Sequence, residues 1–135
     1  MKLHMKEYAN YNETEILELY ESVGWSNYTS QPEMLRNAYS KSLKILAAYD
    51  SEKLVGIIRV VGDGSSIVYI QDLLILPEYQ RKGIGTRLLK EITSIYSNVY
   101  QKVLMTDNTE KTISFYKSMG YKLANEVGCV AVIIP

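Results

Sequence analysis

The sequence predicts an α/β domain of the α+β kind, built on one mixed sheet, and three features carry that prediction. Residues 43–77, "LKILAAYDSEKLVGIIRVVGDGSSIVYIQDLLILP", hold three β-branched and aromatic runs. Two turn clusters, around Asp50 to Lys53 and Gly62 to Ser66, divide them as the turns of an antiparallel meander do. The later stretch "TRLLKEITSIY" repeats apolar residues at Leu88, Leu89, Ile92 and Ile95 with a helical period, and "QKVLMT" after it reads as a strand. A strand, a helix and a strand in that order make a parallel, right-handed step, so one sheet carries both kinds of pairing.

The elements can be justified in order. In "NETEILELYESVG", Asn12 stands three residues before Glu15, an N-cap signature, and Ile16, Leu17, Leu19, Tyr20 and Val23 fall on roughly one helical face. Gly24 follows where a C-terminal cap belongs. "SQPEMLRNAYSKS" places Ser30 and Glu33 in capping-box spacing with Pro32 near the first turn, predicting a second, short helix. The meander, the amphipathic helix and "QKVLMT" come next; then "EKTISFYKSMG" reads as a helix closed by Gly120, and "GCVAVII" as a last strand.

At 135 residues the chain is expected to form a single domain, 1–135, with one core. With 47% hydrophobic and 22% charged residues, its composition is that of a chain that folds by itself. Fifteen basic and fifteen acidic side chains cancel. No global field then draws the protein to nucleic acid or an anionic membrane, so neither is an expected partner and any anion must be recognised locally. Cys129, the single cysteine, lies in an apolar run and reads as a small buried residue in a reducing compartment. No segment reaches the ~20 apolar residues of a membrane span, and "MKLHMKEYANYNETE" lacks the apolar core of an export signal, so a cytoplasmic location is expected.

One stretch asks for a ligand. In "DLLILPEYQRKGIGTRLLKEI", Pro77 ends the strand, because it cannot donate to a ladder and disfavours helix at Leu76. Gly83 and Gly85 let the backbone turn tightly and let a bulky group lie on the amides. The helix that starts at once presents unsatisfied N–H groups and the positive end of its dipole. Such a turn suits a phosphate or diphosphate, and Arg81, Lys82 and Arg87 add local charge. It is not a P-loop, since no Lys-Ser or Lys-Thr follows the glycines, and not a dinucleotide turn, which needs a third glycine and a downstream acid.

"QRKGIG", Gln80 to Gly85, resembles the Q/R-x-x-G-x-G/A signature of the GCN5-related N-acetyltransferases (GNAT). The resemblance extends to "LLILPEYQRKGIGTRLL" as that family's strand, turn and helix, and to "TDNTEKTISFYKSMGY" as its later segment, together about half the chain. It implies a mixed central sheet splayed between strands 4 and 5, helices on both faces, and acetyl-CoA in the gap as cosubstrate, with no metal. By the same resemblance, Leu73, Leu74 and Ile75 would receive the pantetheine arm or the thioester oxygen. Gln80, Arg81, Lys82, Gly83, Ile84, Gly85 and Thr86 would form the diphosphate seat, with Gln80 holding the turn or touching the phosphate arm. Asn108 would contact the pantetheine arm, although it or Thr109 could equally cap a helix. Tyr116 would stand near the sulfur.

Acetyl transfer from a thioester to an amine needs a neutral amine, a stabilised oxyanion and a proton for the leaving thiolate. Tyr116, a phenol with an ordinary pKa of ~10, stays protonated at neutral pH and can supply that proton. For the base, Asp72 is the first candidate, with Gln71 as a water-holder and Asp107 next; alternation sets Asp72 and Leu73 on opposite faces, and a bulge at this point could exchange them. His4, near the terminus and without an acidic neighbour, reads as surface or packing. Trp25 and Tyr28 lie in the loop between the first two helices, where they could border the acceptor or simply pack the loop. The expected activity is direct transfer of acetyl from acetyl-CoA to a primary amine of a small molecule or peptide in a ternary complex. The alternative is a non-catalytic acyl-CoA-binding or sensing protein on the same fold. A homodimer is possible through the apolar end "VGCVAVIIP", which could instead finish the sheet.

Overall fold

Five strands form one sheet in the order β1 (Leu3–Glu7), β2 (Lys44–Asp50), β3 (Lys53–Gly62), β4 (Ile67–Ile75) and β5 (Gln101–Leu104). The first four pair antiparallel in sequence, and β5 lies parallel to β4. This is the mixed sheet expected from the meander and the crossover. The N-terminal strand β1 was not anticipated. Its five residues alternate only weakly, with Leu3 and Met5 half-buried among exposed neighbours, and pairing with Leu46 to Asp50 is what makes them a strand. Counting it makes the splayed pair the fourth and fifth strands.

The computed structural model describes all of residues 1–135, which separate into two compact units, Met1–Leu104 and Met105–Pro135. The first contains the sheet and four helices: α1 (Glu13–Ser22), α2 (Ser26–Thr29), α3 (Pro32–Ser40) and α4 (Ile84–Ile95). Asn12 caps α1 as expected, its side chain accepting from the Glu15 N–H at 3.2 Å. The cap expected at Ser30 is corrected. α3 starts after Gln31 without a side-chain cap, because the backbone of Ser30 is already bonded back to Ser26 as the end of α2.

Helices cover both faces of this sheet. Gly56 pairs with Ile75, and a methyl group at Gly56 would meet Ile75 and then Leu88 of α4, so this face of β3 and β4 looks toward α4. Arg59, three residues after Gly56, and Asp72, three before Ile75, face the other way and meet Tyr20 of α1 and Tyr39 of α3. β3, covered on both sides, is buried from Leu54 to Val60.

The second unit holds α5 (Glu110–Ser118) and a 3-10 turn at Ala124–Val127. Thr109 caps α5 through its side chain, which accepts from the Thr112 N–H at 3.3 Å. The last strand expected over "GCVAVII" does not form: residues 128–135 have no regular structure. Cys129, expected in the core, is exposed. Both expectations came from apolar composition, which describes what a segment prefers and not whether a partner strand is in reach.

Candidate functional site

The turn after β4 presents a run of free amides. Leu76 leads into a 3-10 turn, Pro77–Tyr79, and the Gln80 N–H bonds back to Pro77 at 3.2 Å. From Arg81 to Thr86 no backbone N–H has an acceptor within the chain, and the ladder of α4 resumes with Arg87 donating to Gly83 at 3.1 Å. Six successive donors without a backbone acceptor therefore lead into the positive end of a twelve-residue helix. The fold sustains unusual backbone here, with Arg81 at φ 62° and Gly83 at φ 80°. A left-handed arginine is an uncommon, strained choice that turns the chain back sharply. Arg81, Lys82 and Arg87 are all exposed beside these amides.

The same region opens an edge of the sheet. The β4–β5 ladder runs from Ile67↔Gln101 to Ile70↔Leu104 and stops there, while β4 continues to Ile75 paired only with β3. The Leu76 N–H points to β3, where Val55 accepts it at 2.9 Å. By the alternation of an antiparallel ladder, the N–H groups of Leu73 and Ile75 point to the open side. Gln80 confirms the direction. Its side-chain amide donates to the Ile75 carbonyl on that side at 3.0 Å, which ties the turn to the strand and leaves the two N–H groups free. Of the two roles expected of Gln80, holding the turn is the one this hydrogen bond performs.

The bulge that the sequence left open is present at Gln71. Arg59 pairs with Asp72 and Val60 with Ile70, so Gln71 has no partner on β3. Beyond it Asp72 turns toward α1 and α3, and its carboxyl group lies in the core, 1% exposed. Its Oδ2 accepts from Arg59 Nε at 2.7 Å and from Tyr20 Oη at 2.7 Å, while Oδ1 is buried without a partner. Tyr20 Oη also meets Tyr39 Oη at 2.9 Å, and Arg59 donates to Ser42 Oγ at 3.2 Å and lies over the Tyr39 ring. Burial, with the Tyr39 and Asp72 charges alongside, pushes the Tyr20 phenol far above its ordinary value. Burial also works against the Arg59 charge, but Asp72 outweighs it and the guanidinium is held more firmly protonated than usual. Sequence reading did not single out Arg59. The signal was available in "GIIRVV", since a lone charge inside a buried strand requires an opposite partner.

The three acceptor candidates come together. Gln71 is exposed, and its side-chain amide donates to Tyr28 Oη at 3.1 Å. Tyr28 stacks on Trp25 with ring centroids 5.9 Å apart, and both rings pack on Tyr20, at 5.2 Å and 6.0 Å. This aromatic wall stands directly on the group that binds Asp72. His4 lies elsewhere, stacked on Tyr49 at the sheet edge.

In the second unit Tyr116 is half-buried between Phe115 and Tyr121, at centroid distances of 5.0 and 5.9 Å, and its hydroxyl has no partner in the chain. Burial first, then the neighbouring Tyr121, pushes this phenol up to about 12. Asn108 and Asp107 are exposed. With the cap supplied by Thr109, the Asn108 side chain is left free.

Comparison with known proteins bears on this arrangement. The family described as acetyltransferase (GNAT) domain matches residues 9–134. A GNAT-family acetyltransferase of Streptococcus pneumoniae TIGR4 superposes with a TM-score of 0.89 at 42% sequence identity, covering 98% of this chain and 97% of that one. The PaiA N-acetyltransferase of Thermoplasma acidophilum, solved in complex with coenzyme A, gives a TM-score of 0.74 at 22% identity over 91% of each chain, a likeness of fold. Thialysine N-epsilon-acetyltransferase of Mus musculus is 29% identical over 56 residues, which make 39% of this chain and only 33% of that enzyme.

Proposed function

The chain belongs to the GNAT acetyltransferase family, and we propose that it moves the acetyl group of acetyl-CoA to a primary amine of a small molecule or peptide, directly and within a ternary complex. The two units make a single acetyltransferase domain over residues 1–135. The observation that carries the proposal is the joined surface of free donors: six unbonded amides from Arg81 to Thr86, next to a strand edge whose Leu73 and Ile75 N–H groups are also free. The diphosphate of CoA sits on the turn, where Arg81 and Lys82 add charge. The pantetheine arm runs along Leu73 to Ile75, completing the ladder that β5 leaves, with Asn108 as a further contact. This is recognition by backbone, which explains why side-chain identity along the strand discriminates so little.

The amine attacks the thioester carbonyl carbon; the C–N bond forms, the C–S bond breaks, and an edge amide steadies the oxygen as it gains charge. The thiolate takes the proton of Tyr116 Oη, a group kept protonated across the working pH range. The amine is held at the wall of Trp25, Tyr28 and Gln71, whose side-chain oxygen remains free to accept from it while the amide nitrogen is engaged with Tyr28; its proton passes to solvent. Asp72 does not touch the amine in this scheme. Sealed in the core and paired with Arg59, it positions Tyr20 and through it the aromatic wall. A second reading, a non-catalytic acyl-CoA binder, draws on the same observation, since pairing removes Asp72 as an available base.

One experiment separates the two: saturation by CoA followed calorimetrically, with thiol release from acetyl-CoA measured across a panel of amines. Saturable binding with turnover on at least one amine, reduced at least tenfold in kcat by Tyr116→Phe, supports the transferase. Binding with no turnover on any amine supports the binder, and no binding at all overturns both.

A further inference from the structure

We propose that Asp50 is a positioning residue for the cosubstrate: through Tyr79 it holds the turn after β4 in the shape that receives the CoA diphosphate. The inference rests on the reading of that turn as the diphosphate seat, and it adds to the seat a residue from the end of β2.

The turn has little of its own to hold it. Its 3-10 segment, Pro77–Tyr79, has no side-chain cap. Two backbone bonds, Tyr79 to Leu76 at 2.9 Å and Gln80 to Pro77 at 3.2 Å, are followed by six residues whose N–H groups have no backbone acceptor. Arg81 among them is left-handed at φ 62°, a conformation that persists only where the surrounding structure enforces it. A segment with so few bonds opens locally at small cost unless it is fastened. Two successive side chains fasten it. Gln80 is tied to Ile75 at the end of β4, and Tyr79 Oη donates to Asp50 Oδ2 at 2.6 Å. A turn held at one point can pivot about it; held at the ends of two strands, it cannot.

Asp50 is itself a fixed post. It closes the β2–β3 hairpin opposite Lys53, next to Ser51, which is left-handed at φ 54°. Its Oδ1 accepts from the Lys2 N–H at 2.9 Å, and the Ser51 N–H donates to the Lys2 carbonyl at 3.0 Å, so the residue before β1 pins the hairpin end. The Tyr79 hydroxyl foremost, and then the Lys2 N–H, hold the Asp50 carboxyl below the ordinary carboxylate range, while the same bond pushes the Tyr79 phenol up. Near neutrality the tie is therefore a charge-assisted hydrogen bond. Nothing beside it does the same work. Lys53 lies 5.6 Å over the Tyr79 ring and pairs with Glu78 at 3.6 Å, but the Lys53 and Glu78 side chains are each more than half exposed, where such pairs contribute little.

The test separates the tie from the packing around it. Tyr79→Phe removes the hydroxyl and keeps the ring. Its Kd for CoA, read calorimetrically, is expected to rise about fivefold, because affinity falls with the population of the receptive shape. Asp50→Ala should give a similar loss, and the double variant no more than the larger single one, since both changes break one bond. With acetyl-CoA and an amine that turns over, KM for acetyl-CoA should rise while KM for the amine and kcat at saturation keep their wild-type values, a split that general loosening of the fold would not produce. A wild type that takes up no CoA refutes the seat, and the proposal falls with it. If the wild type binds and either single variant binds as tightly, or if the two losses add, the seat stands and the proposal for Asp50 is overturned.

Discussion

Gly85→Ala should raise the stability of the free protein and keep its hold on CoA, whereas the bulkier Gly85→Val should weaken that hold. Gly85 is the second residue of α4, and its φ is outside the left-handed region. A methyl group built there meets only Ile75 Cγ1 at 3.9 Å, an ordinary contact. Nothing in the free fold therefore requires glycine, and alanine should stabilise the helix by about 0.5–1 kcal/mol. A diphosphate lying on the turn amides tolerates that methyl, since the Q/R-x-x-G-x-G/A pattern admits alanine here, but the branched side chain of Gly85→Val would stand where the ligand must come within hydrogen-bonding distance. If CoA at about 100 times its Kd stabilises the wild type by about 2.7 kcal/mol, a tenfold loss of affinity leaves about 1.4 kcal/mol at the same concentration. Thermal melting with and without CoA reads both effects: a higher melting temperature with the full ligand-induced rise for Gly85→Ala, and about half that rise for Gly85→Val. Gly83→Ala provides the contrast. At φ 80° alanine carries a left-handed penalty of about 1–2 kcal/mol, so that variant loses stability even without ligand. The reasoning fails if Gly85→Val binds CoA as the wild type does, or if Gly85→Ala destabilises the free protein.

The buried pair should behave as a unit. Asp72→Asn or Arg59→Met alone is expected to cost about 3–5 kcal/mol in urea unfolding, and the two together less than the sum, because each single change strands a buried polar group; additive costs would contradict the pairing. Tyr28→Phe removes the acceptor of the Gln71 side chain and should raise KM for the amine while leaving CoA affinity unchanged; an equal loss in both would place Tyr28 outside the acceptor wall. The alkaline side of the rate profile should show no limb from Tyr116 until about pH 12, and Tyr116→Phe should lower kcat without reshaping the profile below that. Asp63 gives an acid signature. Its carboxylate accepts from Ser66 Oγ and the Ser65, Ser66 and Ile67 N–H groups, which hold it well below the ordinary carboxylate range. A depressed folded value means the contribution is present above the unfolded value of about 3.9 and is lost as pH falls through the lower folded one. The difference in urea midpoint between wild type and Asp63→Ala should be constant near neutrality and narrow in acid; a constant gap would remove the turn carboxylate from the account.

What was legible in the sequence was whatever is decided locally. Asn12 could be read as a cap because its partner is three residues away, and the QRKGIG turn because proline, two glycines and a helix start are all local. The meander was visible because its turns fall between β-branched runs. What was not legible depends on residues far apart. β1 exists through the edge of β2, more than thirty-five residues on, and the segment after Gly128 lacks regular structure for all its β-branched composition. The aromatic wall was half legible: Trp25 and Tyr28 stood out in a loop, but their contact with Gln71 and Tyr20 needs the fold. Asp72 was nominated for its chemistry, and its burial against Arg59 follows from a register that no single segment encodes.

That register explains why an ion pair stands where apolar residues of similar size would serve stability as well or better. Val60 opposite Ile70 would, in an unbroken ladder, bring Arg59 opposite Gln71 and Asp72 opposite Ile58, on the face toward α4. Arg59 would then be buried without its carboxylate, and Asp72 would be buried alone on the other side. Only the ladder with Gln71 as the extra residue joins the two charges. Leaving a buried charge unpaired costs several kcal/mol, so the pair selects the bulge over the slip. The bulge in turn falls one residue past the last β4–β5 pair, Ile70↔Leu104. The strand thus changes faces as it loses its neighbour: Leu73 and Ile75 offer their amides to the open side, Gln71 reaches Tyr28, and Asp72 holds Tyr20 under the aromatic wall. One extra residue, held by Arg59 and Asp72, therefore sets the open edge of β4 and the aromatic wall in fixed relation, and loss of the pair should disturb both.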